Sequence, residues 1–425
     1  METIRLVVAL SAQRGWTIYQ LDVKSAFLHG KLNEEIFVEQ PCGYVQKGNE
    51  QKIYKLKKAL CGLKQAPRAW YSRIKAYFLK EGFEKCDYEH TLFIKTNKEG
   101  KVLIVSLYVD DLIFTGNDEL MFIEFKHSMK HEFDMTDLGK MRYFLSLEVF
   151  QKSDGVFISQ KKYALEVLHR FGMDRSNSIC NPIVPGFKFV KDEGGAKVDK
   201  TYYKQVVGSL MYLKATRPDM MFVVSIISRY MENPTELHLQ TAKRVLRYLQ
   251  GTFGFGIFYR KRGDDELVAY TDSDYAGDLE DRKSTSGYVF LLSSGAISWS
   301  SKKQLVVSLS TTEAEFIATV SCACQAVWLK RVLGKLDQNQ NKLTVIRCDS
   351  SSAIKLSKNS VMHGRSKHID VRFHFLRELT KDGTVQLVYC NTQEQVADVM
   401  TKPLKRDVFV KLRNLLGVCS LQNVN

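Results

Sequence analysis

The 425-residue sequence lacks any Cys-x-x-Cys pair, although it contains nine cysteines. Thiols scattered in this way, such as Cys322 and Cys324 in an apolar helical pattern, indicate reduced and buried residues of an intracellular protein, with no zinc site. The longest apolar run, near residues 220–227, is too short to span a bilayer. The first residues lead directly into a helical pattern, so the sequence predicts neither a signal peptide nor a membrane segment.

Acidic residues are fewer than basic ones: 47 Asp and Glu stand against 62 Lys and Arg, which gives a net charge of +15. This excess favours a polyanionic partner such as nucleic acid, with a merely solvated basic surface as the alternative. The hydrophobic content of 44% and charged content of 26% are typical of globular proteins. The length predicts two or three domains, each able to bury its own core.

Two adjacent carboxylates, Asp110 and Asp111, interrupt the apolar stretch 101–117. The pattern predicts a β-hairpin with both acids at its tip. Asp22 ends another predicted strand, and three acids from separate segments could hold two Mg²⁺ ions against a 3′-hydroxyl and a triphosphate. The alternatives are a polar hairpin turn for the pair and a helix N-cap for Asp22.

Basic and aromatic residues interleave from residue 53 to residue 71, before a basic amphipathic helix predicted over 68–80. Basic groups for phosphates and aromatic groups for bases suit a nucleic-acid groove. The alternative is a solvated basic face over a packed aromatic core.

Beyond the charged boundary at 260–266, strands and helices alternate, as in an α/β layer fold. Acids stand at strand ends or on helices in this part, and together four of them could hold two Mg²⁺ ions for phosphodiester cleavage by an activated water. The four are Asp272, Glu315, Asp349 and Asp398.

Each of these acids also has a structural interpretation. Asp272 could simply end a strand, Thr312 and Glu315 match a capping box, and Asp349 could cap the next helix. Asp398, in a helix predicted over 393–401, could lie on a solvated face. His363, His368 and His374 are interpreted as packing or phosphate contacts rather than metal ligands.

Long motifs in one order give the chain a resemblance to copia-type retrotransposon Pol polyproteins, in the part where reverse transcriptase precedes ribonuclease H. They run from the first residues to about residue 416 and include LDVKSAFLHG, LCGLKQAPRAWY, LYVDDLIFTG, YTDSDYAGD, STTEAEFIA and ADVMTKPL. The resemblance implies an α+β fold. Its parts would be a palm without most of its fingers (1–135), a helical thumb and connection region (136–263) and a ribonuclease H-like α/β domain (264–425).

The resemblance also implies residue roles. The polymerase metal ligands would be Asp22, Asp110 and Asp111, and the ribonuclease H ligands would be Asp272, Glu315, Asp349 and Asp398. Glu313 is the rival of Glu315 for its position. Phe27 would exclude a ribose 2′-hydroxyl, and Gln65, Pro67 and Arg68 would border the nascent pair and the template. Ser146 stands where the family usually has glycine.

The function that the resemblance implies is two-metal synthesis of DNA on RNA, with cleavage of the RNA strand of the hybrid. The expected cofactor is Mg²⁺, two ions per site, with Mn²⁺ as an alternative. The expected partners are an RNA template, a DNA primer, their hybrid and deoxynucleoside triphosphates, in cytoplasmic virus-like particles with a nuclear stage. The alternatives are a ribonuclease H-only enzyme and an inactive remnant that binds nucleic acid.

Overall fold

The structure is a computed structural model that describes residues 1–187, 189–263, 266–336, 343–358 and 370–423. It has two compact units. The smaller unit is Trp16–Met141, and the larger unit combines Met1–Gly15 with Arg142–Asn425. These are units of packing rather than of function, so the three-domain division remains a prediction.

Helices and strands alternate irregularly along the chain. The helices are α1 (Glu2–Arg14), α2 (Ala66–Lys80), α3 (Glu119–Glu132), α4 (Lys161–Arg170), α5 (Lys200–Leu213), α6 (Met221–Ser228), α7 (Glu236–Gln250), α8 (Thr311–Leu336), α9 (Ser351–Lys358), α10 (Asp370–Lys381) and α11 (Arg406–Leu415). The strands of the smaller unit are β1 (Tyr19–Val23), β2 (Phe37–Val38), β3 (Tyr54–Lys55), β4 (Glu84–Lys85), β5 (Leu92–Thr96), β6 (Val102–Tyr108), β7 (Asp111–Gly116) and β8 (Met135–Lys140). Those of the larger unit are β9 (Tyr143–Phe144), β10 (Leu147–Gln151), β11 (Gly155–Ser159), β12 (Phe255–Arg260), β13 (Val268–Ser273), β14 (Thr285–Leu292), β15 (Gly295–Lys303), β16 (Thr344–Cys348), β17 (Val385–Tyr389) and β18 (Val418–Ser420).

The smaller unit is built on a six-stranded sheet with the order β4-β5-β6-β7-β1-β8. Aromatic side chains from α2, α3 and the sheet form its core, where Phe78, Phe114 and Phe125 pack together. Helix α3 begins where the Asp118 side chain accepts the Leu120 and Met121 backbone N–H groups, as an N-cap does. This core fixes the ends of β1 and β7, where the predicted acids lie.

The larger unit contains two five-stranded sheets, with the orders β18-β12-β11-β10-β9 and β15-β14-β13-β16-β17. In the second sheet β13, β16 and β17 are parallel, whereas β14 and β15 run antiparallel to their neighbours. Helix α8 packs on β13 and β14. By length and composition α8 could cross a membrane, but half of its apolar window is buried within the protein, and core helices pass the same test.

Helix α1 belongs to the larger unit through a buried arginine. Arg5 Nε donates to the carbonyl of Ile297 at 2.8 Å, and Nη1 donates to that of Ala215 at 3.0 Å. Its guanidinium also lies 3.9 Å from the ring centroid of Trp299. Polar partners and the aromatic face thus compensate for burying the charge.

Several local predictions can be compared with the structure directly. The sequence predicts a helix over 119–132 and the end of the first helical pattern at Gly15. The first is confirmed as α3, and the second is confirmed by a left-handed C-cap with φ 69°. The final helix predicted over 393–401 is wrong. That stretch forms two short 3-10 helices, Thr392–Glu394 and Val396–Met400. The second is tied down because Gln395 donates to the carbonyl of Thr271 and accepts the Ala397 N–H.

Candidate active sites

The first group of acids lies on the central strands of the smaller unit. Asp22 on β1 pairs in register with Asp111, the first residue of β7. Asp110 precedes it in the tight turn that joins β6 and β7. We call Asp22, Asp110 and Asp111 the hairpin carboxylates. The sequence predicted both acids of the pair at the hairpin tip, but the turn residues are Val109 and Asp110.

This turn is strained. Val109 has φ 57°, a left-handed conformation that is costly for a β-branched residue. Two hydrogen bonds hold it: Trp70 Nε1 donates to the Val109 carbonyl at 2.6 Å, and the Val23 N–H donates to the Asp110 carbonyl at 3.0 Å. The neighbouring helix and strand therefore fix where Asp110 points.

The hairpin carboxylates are only partly removed from water, because Asp22 and Asp111 are half-buried and Asp110 is exposed. Burial and the Asp110 charge raise the pKa of Asp22, whereas Lys24 lowers it. Burial also raises the pKa of Asp111, and a 3.0 Å hydrogen bond from Gln20 Nε2 opposes this. Solvent exposure, the Lys24 charge and the Gln20 amide thus all help to compensate for these charges.

The residues predicted to contact substrate lie in the same unit. Phe27 is in a short 3-10 helix (Ala26–His29) and packs, partly buried, against the hydrophobic core. Gln65 is the N-cap residue of α2, and Pro67 lies in its first turn. Gln65 and Arg68 line a pocket of about 290 Å³.

The second group of acids lies at one edge of the sheet in the larger unit. Asp272 is near the end of β13, and Asp349 directly follows β16. Because these two strands are parallel neighbours, their carboxyl ends meet at the same edge. Glu315 projects from the start of α8, and Asp398 comes from the 3-10 helix Val396–Met400. We call these acids the four-carboxylate cluster.

Ligand atoms in the cluster approach closely. Those of Asp272, Asp349 and Asp398 lie within 4.8 Å of one another, and so do those of Glu315, Cys348 and Asp349. Among the described residues, these are the groups of three or more potential ligands that meet this distance. The hairpin carboxylates do not form such a group.

The geometry separates Glu315 from its rival Glu313. Glu313 Oε2 accepts the Leu309 N–H at 2.9 Å, and the Glu313 N–H donates to Ser310 Oγ at 3.1 Å. Glu313 therefore belongs to the cap of α8. The capping box predicted for Thr312 and Glu315 is wrong, and Glu315 instead faces the charges of Asp272 and Asp349.

Two acids of the cluster are deeply buried, since Asp272 and Asp398 are 1% and 6% exposed, whereas Glu315 and Asp349 are half-buried. Asp398 therefore does not lie on a solvated face. Burial and the neighbouring acids raise the pKa of Asp272, Glu315 and Asp398, and Lys402 opposes this. Thr401 Oγ1 also donates to Asp272, and Thr392 Oγ1 donates to Asp349 at 3.2 Å.

Three contributors to the two sites were missed from the sequence: Trp70, Cys348 and Lys402. Lys402 follows Asp398 by one helical turn within ADVMTKPL, and Cys348 immediately precedes Asp349, so both carried a local signal. Trp70 is distant in sequence from the turn it supports. Of the histidines, His374 contacts Arg377 on α10, whereas His363 and His368 lie outside the described residues.

The donor set of the cluster fits a divalent cation. Carboxylate oxygens are the ligands that hard divalent ions prefer. Glu315 Oε2 is buried and has no hydrogen-bond partner, which is costly for a carboxylate unless a cation lies next to it. The residues that would hold such an ion are those of the four-carboxylate cluster.

Comparison with known proteins gives consistent matches. Residues 1–185 match the family described as reverse transcriptase (RNA-dependent DNA polymerase). The chain is 40% identical to a retrovirus-related Pol polyprotein from transposon TNT 1-94 of Nicotiana tabacum, over 99% of this chain and 32% of the relative. It is 33% identical to a putative transposon Ty5-1 protein of Saccharomyces cerevisiae, over 70% of this chain and 97% of that protein. The chain thus spans about a third of the length of the Nicotiana tabacum Pol polyprotein.

A solved structure supports the fold. The foamy viral protease–reverse transcriptase in complex with RNA/DNA hybrid aligns with a TM-score of 0.52 and 13% identity, over 91% of this chain and 45% of that chain. At this identity the likeness concerns the fold alone. The predicted α+β class, with a reverse transcriptase fold, is confirmed.

Proposed function

Because the chain belongs to the reverse transcriptase family of copia-type retrotransposon Pol polyproteins, we propose that it synthesises DNA on RNA and cleaves the RNA of the resulting hybrid. One observation carries this proposal: a chain of this family has two separate groups of acids, one on a hairpin and one at a sheet edge. Two Mg²⁺ ions at each group, with Mn²⁺ as an alternative, would activate the attacking oxygen and neutralise charge on the phosphate.

In the polymerase reaction, the hairpin carboxylates would hold the ions and thereby align the primer 3′-hydroxyl with the triphosphate. The hydroxyl oxygen forms a bond to the α-phosphorus, pyrophosphate leaves, and the hydroxyl proton passes to water. Phe27 would lie against the sugar and exclude a 2′-hydroxyl. Gln65, Pro67 and Arg68 would border the nascent pair and the template.

In the nuclease reaction, Asp272, Glu315, Asp349 and Asp398 would hold the ions beside the scissile phosphate of the RNA strand. Water attacks phosphorus and the 3′-oxygen leaves, so the products carry a 5′-phosphate and a 3′-hydroxyl. The burial of Asp272 and Asp398 keeps bulk water away from these carboxylates and strengthens their interaction with a cation.

The proposed partners are an RNA template, a DNA primer, their hybrid and deoxynucleoside triphosphates. The net charge of +15 supports a polyanionic partner, as does the RNA/DNA hybrid bound to the foamy viral neighbour. The proposed location is the cytoplasmic virus-like particle, with a nuclear stage.

The test uses the purified chain with Mg²⁺, deoxynucleoside triphosphates and a labelled DNA primer annealed to labelled RNA. We expect primer extension and RNA cleavage on the same gel, and both should stop with EDTA. Absence of both reactions, with salt-sensitive hybrid binding retained, would contradict the proposal and favour a binding remnant.

A second candidate function is hybrid cleavage alone. In the larger unit, the ligand atoms of Asp272, Asp349 and Asp398 lie within 4.8 Å of one another, whereas the hairpin carboxylates do not form such a group. Cleavage without extension in the same experiment would support this candidate.

A further inference from the structure

The four-carboxylate cluster already contains one cation, the ammonium group of Lys402. Its Nζ donates to Asp398 Oδ1 at 2.9 Å and to Asp272 Oδ1 at 3.2 Å. Lys402 lies four residues after Asp398, just beyond the end of the short helix that carries the acid, and its backbone N–H donates to the Asp398 carbonyl at 3.0 Å. The ammonium therefore bridges the two most buried acids of the cluster.

The cluster has two sides that share Asp349. On one side, Asp272 and Asp398 complete a group of close ligand atoms, and on the other side Glu315 and Cys348 do so. Lys402 contacts both acids that are specific to the first side. The second side holds the buried Glu315 Oε2, which has no hydrogen-bond partner. The first side thus accepts hydrogen bonds from a cation of the protein itself, whereas Glu315 Oε2 on the second side feels the Lys402 charge but accepts no hydrogen bond.

The Lys402 ammonium donates to Oδ1 of both Asp272 and Asp398, so a divalent ion that binds these two oxygens competes with it. Such an ion replaces the charge-assisted hydrogen bonds of Lys402, and breaking these bonds weakens its net affinity. A cation that binds at Glu315 and Asp349 breaks no hydrogen bond of Glu315 Oε2, because this oxygen accepts none. The two sides should consequently differ in affinity for the same ion.

The displaced lysine has room to move. Thr401, Lys402 and Pro403 line a pocket of about 180 Å³, on whose wall Asp274 and Asp278 also lie. Asp278 is already paired with Lys303 at 2.6 Å. The pocket offers the lysine side chain other carboxylates and contact with solvent, because Lys402 is 35% exposed.

We propose that Lys402 is a built-in competitor for the divalent cation at Asp272 and Asp398. The Glu315 side of the cluster fills first, and the second ion binds only when the Lys402 ammonium leaves. This makes Lys402 a positioning residue that holds the buried acids together before metal binds and sets the order of metal binding. The inference rests on the proposed cleavage function.

The test measures Mn²⁺ binding rather than catalysis. The full chain carries Asp22→Asn and Asp110→Asn so that the hairpin carboxylates do not contribute, and free Mn²⁺ is followed by electron paramagnetic resonance without nucleic acid. The parent should bind one ion tightly and a second more weakly. Lys402→Met should tighten the second ion about tenfold or more and leave the first nearly unchanged.

Three further variants serve as controls. Lys402→Arg keeps the competing charge, so the affinity of this variant for the second Mn²⁺ ion should stay within about threefold of that of the parent. Lys402→Gln, which removes only the charge, should tighten the second ion as Lys402→Met does and remains informative if the methionine variant does not fold. Lys405→Met removes an exposed lysine three residues away and should behave as the parent.

Two results would overturn the inference. If the affinity for the second Mn²⁺ ion is the same with lysine, methionine and glutamine at position 402, Lys402 does not compete with the ion. If Lys405→Met tightens binding as much as Lys402→Met, the effect is one of overall charge. A parent that binds no Mn²⁺ would contradict the proposed metal-dependent cleavage as well. If the parent binds Mn²⁺ and cleaves hybrid but the variants at position 402 do not behave as expected, only the Lys402 inference is wrong.

Discussion

The two groups of acids differ in how the protein compensates for their charge. Two acids of the four-carboxylate cluster, Asp272 and Asp398, are buried, and the cluster has a lysine ammonium and two threonine hydroxyls among its acids. The hairpin carboxylates are half-buried or exposed, and they are supported by the Gln20 amide at Asp111 and by the Lys24 charge near Asp22. Buried carboxylates need a counter-charge in the fold, whereas exposed ones can leave that role to water and to the substrate complex.

The difference also concerns where strain is located. The hairpin group depends on Val109 in a left-handed conformation next to the acids, whereas none of the four cluster acids has a positive φ. Strain of this kind persists only when surrounding contacts enforce it. The hairpin site is therefore positioned by its backbone turn, and the cluster is positioned by its side-chain contacts.

Separate acids should give separable activities, and this is the largest effect we expect. Asp349→Asn should lower hybrid cleavage by about a hundredfold or more and leave primer extension unchanged, because it removes a cluster ligand only. Asp110→Asn should do the reverse. Both activities are measured on doubly labelled primer–template. If either change abolished both reactions in a folded protein, the two groups would not be independent sites.

The proposed role of Phe27 predicts a change in sugar selectivity confined to the hairpin site. Phe27→Val should raise incorporation of ribonucleotides relative to deoxynucleotides about tenfold or more, because a smaller side chain leaves room for a 2′-hydroxyl. Single-nucleotide extension with each substrate measures the ratio. Phe27→Tyr, which keeps the ring, is the matched control. An unchanged ratio in a polymerising Phe27→Val variant would contradict the role.

The turn at Val109 predicts that the hairpin site is sensitive to Trp70. Trp70→Phe removes the indole N–H that binds the Val109 carbonyl and should destabilise the smaller unit by about 2 kcal/mol. Extension should fall about tenfold while cleavage is retained. Tyr71→Phe, which removes a hydrogen bond to the His90 carbonyl from the same helix, is the control and should leave extension near that of the parent.

A buried histidine on α7, His238, predicts a pH dependence of stability in the larger unit. His238 Nδ1 accepts the Thr235 N–H at 3.0 Å, and Nε2 donates to the Val190 carbonyl at 2.9 Å. Burial lowers the pKa of His238, so the unfolded chain binds the proton more readily and the native state loses stability as pH falls below about 6.5.

Replacing this histidine should remove that dependence. Relative to His238→Gln, the parent should lose about 1 kcal/mol of unfolding free energy between pH 7 and pH 5, as measured by urea unfolding with hydrogen exchange of larger-unit peptides. His169→Gln, at an exposed position, controls for loss of a histidine. A difference between parent and His238→Gln that does not vary with pH would contradict this assignment.

The smallest effect concerns the turn between β9 and β10. Leu145 and Ser146 have φ 48° and 61°, the left-handed pair that two-residue hairpins require and that favours glycine. Ser146→Gly should stabilise the larger unit by about 0.5–1 kcal/mol, whereas Ser146→Ala should not. Both activities should stay unchanged, and lower stability in the glycine variant would show that another contact of Ser146 dominates.

The sequence predicted the elements whose signals are local. Helix α3 was predicted over 119–132, where the structure has it, and Ser146 was already notable where relatives have glycine. The acids were predicted as sets through the family resemblance, and the structure brings the cluster acids together. The roles of both sets remain proposals.

The errors in the sequence analysis arise from contacts between distant residues. The hairpin turn begins one residue earlier than predicted because strand pairing, rather than the apolar pattern, sets the register. Residues 393–401 form 3-10 helices because Gln395 binds the distant Thr271 carbonyl. Likewise, the place of α1 depends on Arg5 binding Ile297, a contact that local periodicity cannot reveal.

The most direct test of two separate and differently compensated sites is anomalous scattering from crystals of the chain grown with Mn²⁺, primer–template and a non-hydrolysable deoxynucleoside triphosphate. We predict Mn²⁺ peaks at the four-carboxylate cluster, with Lys402 no longer bridging Asp272 and Asp398. We also predict peaks at the hairpin carboxylates that disappear when primer–template and nucleotide are left out. Mn²⁺ bound away from both groups, or at the cluster with Lys402 still bridging the two acids, would contradict the account.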